Sequence, residues 1–139
     1  MTNKILKSII RLYDDVYAGE PYARLKVVAF LVYKGKIVNF GANSNKTSPM
    51  QFRYRQKTHL ATIENFLDKE HAEINCLRRT YMGDFDMKKL ELVIISKRHD
   101  GSFRLARPCC TCMEAIKDSG IQKIYYTTNQ GTIIQEFVL

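Results

Sequence analysis

The chain has 139 residues, 45% of them hydrophobic and 26% charged, with a formal net charge of +8. That length suits one domain with a real core, so residues 1–139 are read as a single domain that needs no disulfide staples. No apolar run approaches the roughly twenty residues of a membrane span, and the surplus of lysine and arginine is compatible with anionic partners such as nucleotide or nucleic acid, or with a merely solvated basic surface.

In residues 3–18, Ile5, Ile9, Leu12 and Val16 recur at helical spacing, and Leu6, Ile10 and Tyr13 widen the stripe. This predicts a helix with one buried face, which Lys4, Lys7 and Arg11 interrupt too often for a signal peptide. Gly19-Glu20-Pro21 should stop it. Residues 25–43 read as two strands around a Lys34-Gly35-Lys36 turn, the first (25–33) so apolar that it should be buried on both faces. Residues 44–70 form the longest irregular stretch, which calls for a functional loop or a small helix. A helix follows over 71–82, a strand over 90–96, a short helix over 110–120 ended by Gly120, and strands over 121–128 and 132–139 about a turn at Asn129-Gln130-Gly131. The order α-β-β-α-β-α-β-β predicts an α/β fold with helices on both faces of a five-stranded mixed sheet. Three residues are too few for a parallel crossover, so the last two strands should be antiparallel.

The four cysteines are placed oddly for a disulfide framework. Cys109, Cys110 and Cys112 crowd into one tetrapeptide and Cys76 lies within a predicted helix, whereas a scaffold spreads its cysteines to close loops. Reduced thiols in a cytoplasmic setting are the better reading, and there such a cluster points to metal or catalysis. Among the histidines, His71 stands out because Glu73 lies two residues on. The chain therefore carries His71-Ala72-Glu73 upstream and Pro108-Cys109-Cys110-Thr111-Cys112 downstream.

The residue types fit one chemistry. Two thiolates and a neutral imidazole suit Zn2+, and three protein ligands with an open fourth position are the catalytic arrangement. Zinc lowers the pKa of a water it binds toward about 7. The first turn of a helix, with its free N–H groups, favours thiolate charge, and Pro108 fits just before such a turn. Glu73 is close to the ligands without being one, as a proton carrier should be. Two readings compete. The Cys-x-x-Cys could be a redox pair, or the zinc could be purely structural with Cys76, Cys110, His59 or His99 as fourth ligand.

The two motifs together form the H-x-E…P-C-x-x-C pattern of the zinc deaminases. Over roughly residues 25–128 the chain resembles the cytidine and deoxycytidylate deaminase superfamily, on "HAEI", "PCCTC" and the weaker Gly41-Ala42-Asn43. The resemblance implies a three-layer α/β/α domain, zinc held by His71, Cys109 and Cys112, and Glu73 as the catalytic proton carrier. It further implies that the Ala72 N–H meets the pyrimidine carbonyl, that Asn43 contacts base or sugar unless it is a turn asparagine, and that the protein is a homo-oligomer. The implied activity is hydrolytic deamination of a cytosine nucleoside or nucleotide.

The substrate divides the clues. A terminal antiparallel hairpin is similar to the free-cytidine branch, whereas histidine as first ligand is commoner among nucleotide, tRNA and polynucleotide deaminases. The long loop interleaves Lys46, Arg53, Arg55 and Lys57 with Phe52 and Tyr54, and Arg104 and Arg107 precede the cysteines. These side chains suit a 5′-phosphate, suit stacked bases of a single strand, or form a solvated basic surface. A small nucleoside or nucleotide is the reading adopted, with a polynucleotide deaminase and a non-catalytic zinc fold as alternatives.

Overall fold

Val27–Tyr33 (β1) contains no charged side chain, and residues 28–32 are completely buried. A strand with no solvated face has to be flanked on both edges and covered on both sides. The computed structural model, which describes residues 1–17, 26–58 and 69–138, meets both demands. The expected helix stop at 19–21, the first residue of the strand expected from 25, and His59 lie outside the described residues.

Lys36–Ala42 (β2) lies antiparallel to β1 on one edge, and Leu90–Ser96 (β3) lies antiparallel to it on the other. The β1–β2 connection is the expected tight turn. Lys34 and Gly35 both take positive φ, 50° and 77°, the pair of values that a primed hairpin turn requires. Lys123–Thr127 (β4) runs parallel to β3, and Ile133–Phe137 (β5) returns antiparallel to β4, giving the order β2-β1-β3-β4-β5. The parallel step needs a crossover, which Cys110–Ser119 supplies as a helix. The last hairpin closes through Thr128, whose N–H donates to the Thr132 carbonyl at 2.9 Å.

Side chains on β1 alternate between two cores, as the period of a strand dictates. Val28, Phe30 and Val32 pack with Val93, Ile95 and Tyr125 beneath Ile9 and Tyr13 of Asn3–Tyr17 (α1). Ala29 and Leu31 pack with Leu92, Ile94 and Ile124 on the opposite side. That second face carries Pro49–Lys57 (α2), Ala72–Arg78 (α3) and Cys110–Ser119 (α4). The three-layer α/β/α arrangement is therefore present, and among the described residues one helix covers one face and three cover the other.

Two boundaries differ from the sequence expectation. The helix expected over 71–82 ends at Arg78, and 3-10 turns follow at Met82–Asp84 and Met87–Lys89. Tyr81, within that expected helix, is 76% exposed, so no burial holds another turn, and Thr80 turns its hydroxyl back to the Cys76 carbonyl at 2.7 Å. Within the long irregular stretch, Ser48-Pro49 starts α2. The Ser48 hydroxyl accepts from the Gln51 N–H, and Pro49 occupies the first turn, where no N–H is missed.

Gly41 sets the distance between β2 and α3. A methyl group there would collide with the backbone of Cys76 and come within 2.6 Å of Asn75 Oδ1. Gly41→Ala should therefore cost about 1–3 kcal/mol through overpacking. The check is urea unfolding followed by circular dichroism, and an unchanged midpoint would mean that the close approach is not a constraint.

Candidate metal centre

His71 and Cys109 hold equivalent positions. Each is the extended residue that precedes a helix, His71 before α3 (φ −76°, ψ 158°) and Cys109 before α4 (φ −67°, ψ 168°). Neither uses its side chain as a cap, so both side chains are available for another partner. The first turn of α4 closes with the Met113 N–H on the Cys109 carbonyl at 2.8 Å and carries Cys112 beside Cys109. Two helix starts thus meet, and their positive ends favour thiolate charge.

His71 Nδ1 lies 3.3 Å from Cys112 Sγ and 3.6 Å from Cys109 Sγ, and the three donor atoms lie within 4.8 Å of one another. Tetrahedral zinc, with Zn–N near 2.1 Å and Zn–S near 2.3 Å, separates nitrogen from sulfur by about 3.6 Å. One imidazole nitrogen and two sulfurs at these spacings fit zinc with a fourth corner left for a small molecule. Among the described residues this is the one group of three or more such side chains close enough to hold a metal. Among the described residues, the fourth ligands that a structural site would need do not gather there. Cys76 is fully buried in the core, where burial pushes its thiol up to about 12. Cys110 is exposed, and His99 lines a cavity whose lining includes none of the three ligands.

The charges suit a cation. The Cys112 S–H bonds to Cys109, which together with His71 overcomes burial and pulls the Cys109 thiol down to about 3. The same bond, with burial, holds Cys112 well above the ordinary thiol range. The two sulfurs thus favour holding negative charge between them, which suits a dication. His71 is raised by its bond to Cys109 against the opposing effect of burial. Glu73, in the first turn of α3, is only 5% exposed. Burial pushes its carboxyl up, against its own backbone N–H, the field of His71 and a bond with Cys112.

A second set of groups, not foreseen from sequence, holds this arrangement in place. Gln51 of α2 has no exposed surface, and its Oε1 accepts the His71 N–H at 3.1 Å. Glu70 is buried and receives Arg78 in a fork (2.8 and 3.0 Å) and Asn75 Nδ2 at 2.7 Å. Burial alone would raise its carboxyl, but Arg78, Asn75 and Ser48 together hold it below the usual carboxylate range. The Ser44 N–H donates to the Glu70 carbonyl and the Glu70 N–H to the Lys46 carbonyl, at 3.1 and 2.9 Å. This short ladder ties the end of β2 to His71. A glutamate next to a histidine was the only available signal in the sequence, and nothing there names its partners.

The expected substrate contacts are distributed unevenly. Ala72 is buried as the first residue of α3. Asn43 Oδ1 accepts both the Tyr17 hydroxyl (2.7 Å) and the Val27 N–H (3.0 Å), which anchors it to α1 and β1. Arg55 is the basic loop residue whose field reaches His71. Arg53 is exposed and lies 5.3 Å over the Tyr54 ring. Lys46 is exposed. Lys57 pairs with Asp118 at 2.6 Å. Arg107 forms a fork on Glu136, with both contacts at 3.0 Å, and Glu136 also accepts the Tyr126 hydroxyl. No helix among the described residues is long and apolar enough to cross a membrane.

The family model of the cytidine and deoxycytidylate deaminase zinc-binding region matches residues 4–128. Among solved structures, the chain is similar to a cytidine deaminase from Burkholderia pseudomallei, with a TM-score of 0.62 and 17% identity over 99% of this chain and 94% of that one. It is also similar to a dCMP deaminase from the cyanophage S-TIM5 in complex with dCMP and dUMP, with a TM-score of 0.52 and 22% identity over 91% and 82%. At these identities the likeness is one of fold. No curated protein matches the chain.

Zinc-loaded, desalted protein should retain one zinc per chain by atomic absorption. His71→Ala, Cys109→Ser or Cys112→Ser should lose most of it, whereas Cys110→Ser should not. Full zinc content in Cys112→Ser would remove the centre from these residues.

Proposed function

The chain belongs to the cytidine and deoxycytidylate deaminase family, and from that premise we propose that it hydrolyses the exocyclic amine of a cytosine nucleoside or nucleotide, releasing ammonia and leaving the uracil form. The observation that carries this reading is a buried glutamate, Glu73, at the edge of a three-donor zinc site. A structural zinc site has no use for such a carboxyl, whose burial is unfavourable, whereas hydrolysis needs one.

Zinc held by His71, Cys109 and Cys112 supplies the Lewis acidity that makes water a nucleophile near neutral pH. The remaining steps are proton transfers by Glu73. Its carboxylate takes the proton of the attacking water and passes it to the ring nitrogen N3. It then takes the proton of the hydroxyl added at C4 and delivers it to the amine, so that the C4–N bond breaks as the C4 carbonyl forms. Burial raises its proton affinity, which suits a group that must both take and give. The Ala72 N–H belongs to the first turn of α3, where helix N–H groups have no intrahelical partner, and we assign it to the pyrimidine carbonyl.

Asn43, anchored by Tyr17 and the Val27 N–H, is assigned to the base or sugar. For a 5′-phosphate the assignment is Arg55 first, with Lys46, Arg53 and Arg107 around it. The antiparallel β4–β5 hairpin supports a small substrate over a polynucleotide. Self-association into a homo-oligomer belongs to the same reading and is supported by Ile134 and Phe137, which are exposed along the edge strand β5.

Ammonia release is the direct test, with cytidine, deoxycytidine, their monophosphates and a cytosine-containing single strand compared side by side. Glu73→Ala should bind zinc normally and turn over about 10²–10⁴-fold more slowly. Undiminished activity in that variant would end the mechanism, and turnover of the strand alone would end the small-substrate reading.

A further inference from the structure

A cavity of about 640 Å³ opens between the C-terminal half of α1 and the segment that follows β3. None of His71, Glu73, Cys109 or Cys112 lines it. Its volume falls within the roughly 300–1,000 Å³ typical of small-molecule sites. Its walls carry four cations, Lys26, Lys97, Arg98 and Arg104, against two carboxylates, Asp14 and Asp100, with His99 beside them.

Most of these charges already have partners. Asp14 holds Lys97 at 2.8 Å. Asp100 accepts from the Ser102 N–H and hydroxyl, at 2.9 and 2.6 Å. Arg98 donates to the Ser102 hydroxyl at 3.3 Å and to Asn129 Oδ1 at 2.8 Å. Lys26 and Arg104 are different. Among the described residues neither has a carboxylate within ion-pair distance, although both are half-buried. Lys26 lies 5.5 Å over the Tyr17 ring. A half-buried guanidinium without a counterion is costly unless a ligand supplies one. Four cations and two carboxylates leave a charge of +2, against the −1.5 to −2 or so that a phosphate monoester carries at neutral pH. An arginine fork is the donor best shaped for phosphate oxygens. The tilted Tyr13 and Tyr17 rings, 5.4 Å apart, form an apolar wall for the rest of an organic molecule.

We infer that this cavity binds the phosphate group of a small phosphorylated molecule, with Arg104 and Lys26 as its principal ligands. A chain of hydrogen bonds links the cavity wall to the surroundings of the metal centre. The Tyr17 hydroxyl on its wall bonds to Asn43 Oδ1, and the next residue, Ser44, pairs with Glu70 beside His71. The phosphate is either that of a second phosphorylated molecule or the substrate's own, in which case Arg104 and Lys26 replace Arg55 as its ligands. The binding does not depend on the deaminase reading.

Calorimetry on the zinc-loaded full chain at low ionic strength, with inorganic phosphate and separately with deoxycytidine monophosphate, reads it directly. Both probes should bind the wild type. Arg104→Ala should weaken them about tenfold or more and Lys26→Ala by less, whereas Lys88→Ala, outside the cavity, should change nothing. Arg104→Lys, which keeps the charge and most of the volume, should fall between wild type and Arg104→Ala. No binding to the wild type, or equal binding by wild type, Arg104→Ala and Lys26→Ala, overturns the inference. Given binding, the KM values of Arg104→Ala separate the sources. A rise for the monophosphate but not for deoxycytidine identifies the substrate's own phosphate, and unchanged values identify a second molecule. The heat of inorganic phosphate binding is read without turnover, so failure of the deaminase reading and failure of this one are distinguishable.

Discussion

Two helix starts have to meet over one face of the sheet. His71 opens α3 and Cys109 opens α4, and the zinc site exists only where those two ends come within ligand distance. Both helices rest on a sheet whose strand β1 carries no charged side chain, and the cores beneath them are close-packed. The meeting point is therefore set by packing. Gly41 lets β2 press against α3, Gln51 reaches from α2 to the His71 N–H, and Glu70 with Arg78 and Asn75 locks the residue next to the ligand. Each of these contacts tightens a site that a shift of about 1 Å would loosen.

The same geometry accounts for the electrostatics. The bond between Cys109 and Cys112 lowers the first thiol and raises the second, and the bond to Cys109 draws His71 toward its charged form. Glu73 is pushed the other way by burial. A soft, cation-seeking donor set and a proton-holding carboxyl are thereby placed side by side, which is the division of labour that hydrolytic deamination requires.

The opposite face of the sheet has a different character. Among the described residues α1 alone covers it, and the cavity at its edge is rich in lysine and arginine with too few carboxylates to balance them. Tyr17 and Asn43 join this face to the metal side through one hydrogen bond. An asparagine expected at the substrate is thus also a structural link between the two sides of the molecule.

The sequence alone determined the elements and the chemistry. Hydrophobic periodicity located α1 and all five strands to within a few residues, because strand and helix periods are local properties. The three-residue turn at 129–131 already forced the β4–β5 pair to be antiparallel. His71, Cys109 and Cys112 were legible because ligand chemistry restricts residue types, whereas the fold was needed to put Cys110 at the surface and Cys76 in the core. Tertiary structure decided what depends on neighbours distant in sequence. It ended α3 at Arg78, where Tyr81 found no surface to bury it, and it engaged Arg107 with Glu136 and Asn43 with Tyr17. It recruited Gln51 and Glu70, and it gathered Lys26 and Arg104 from opposite ends of the chain into one cavity. Such pairings arise only when the chain folds back on itself, so no local pattern of residues encodes them.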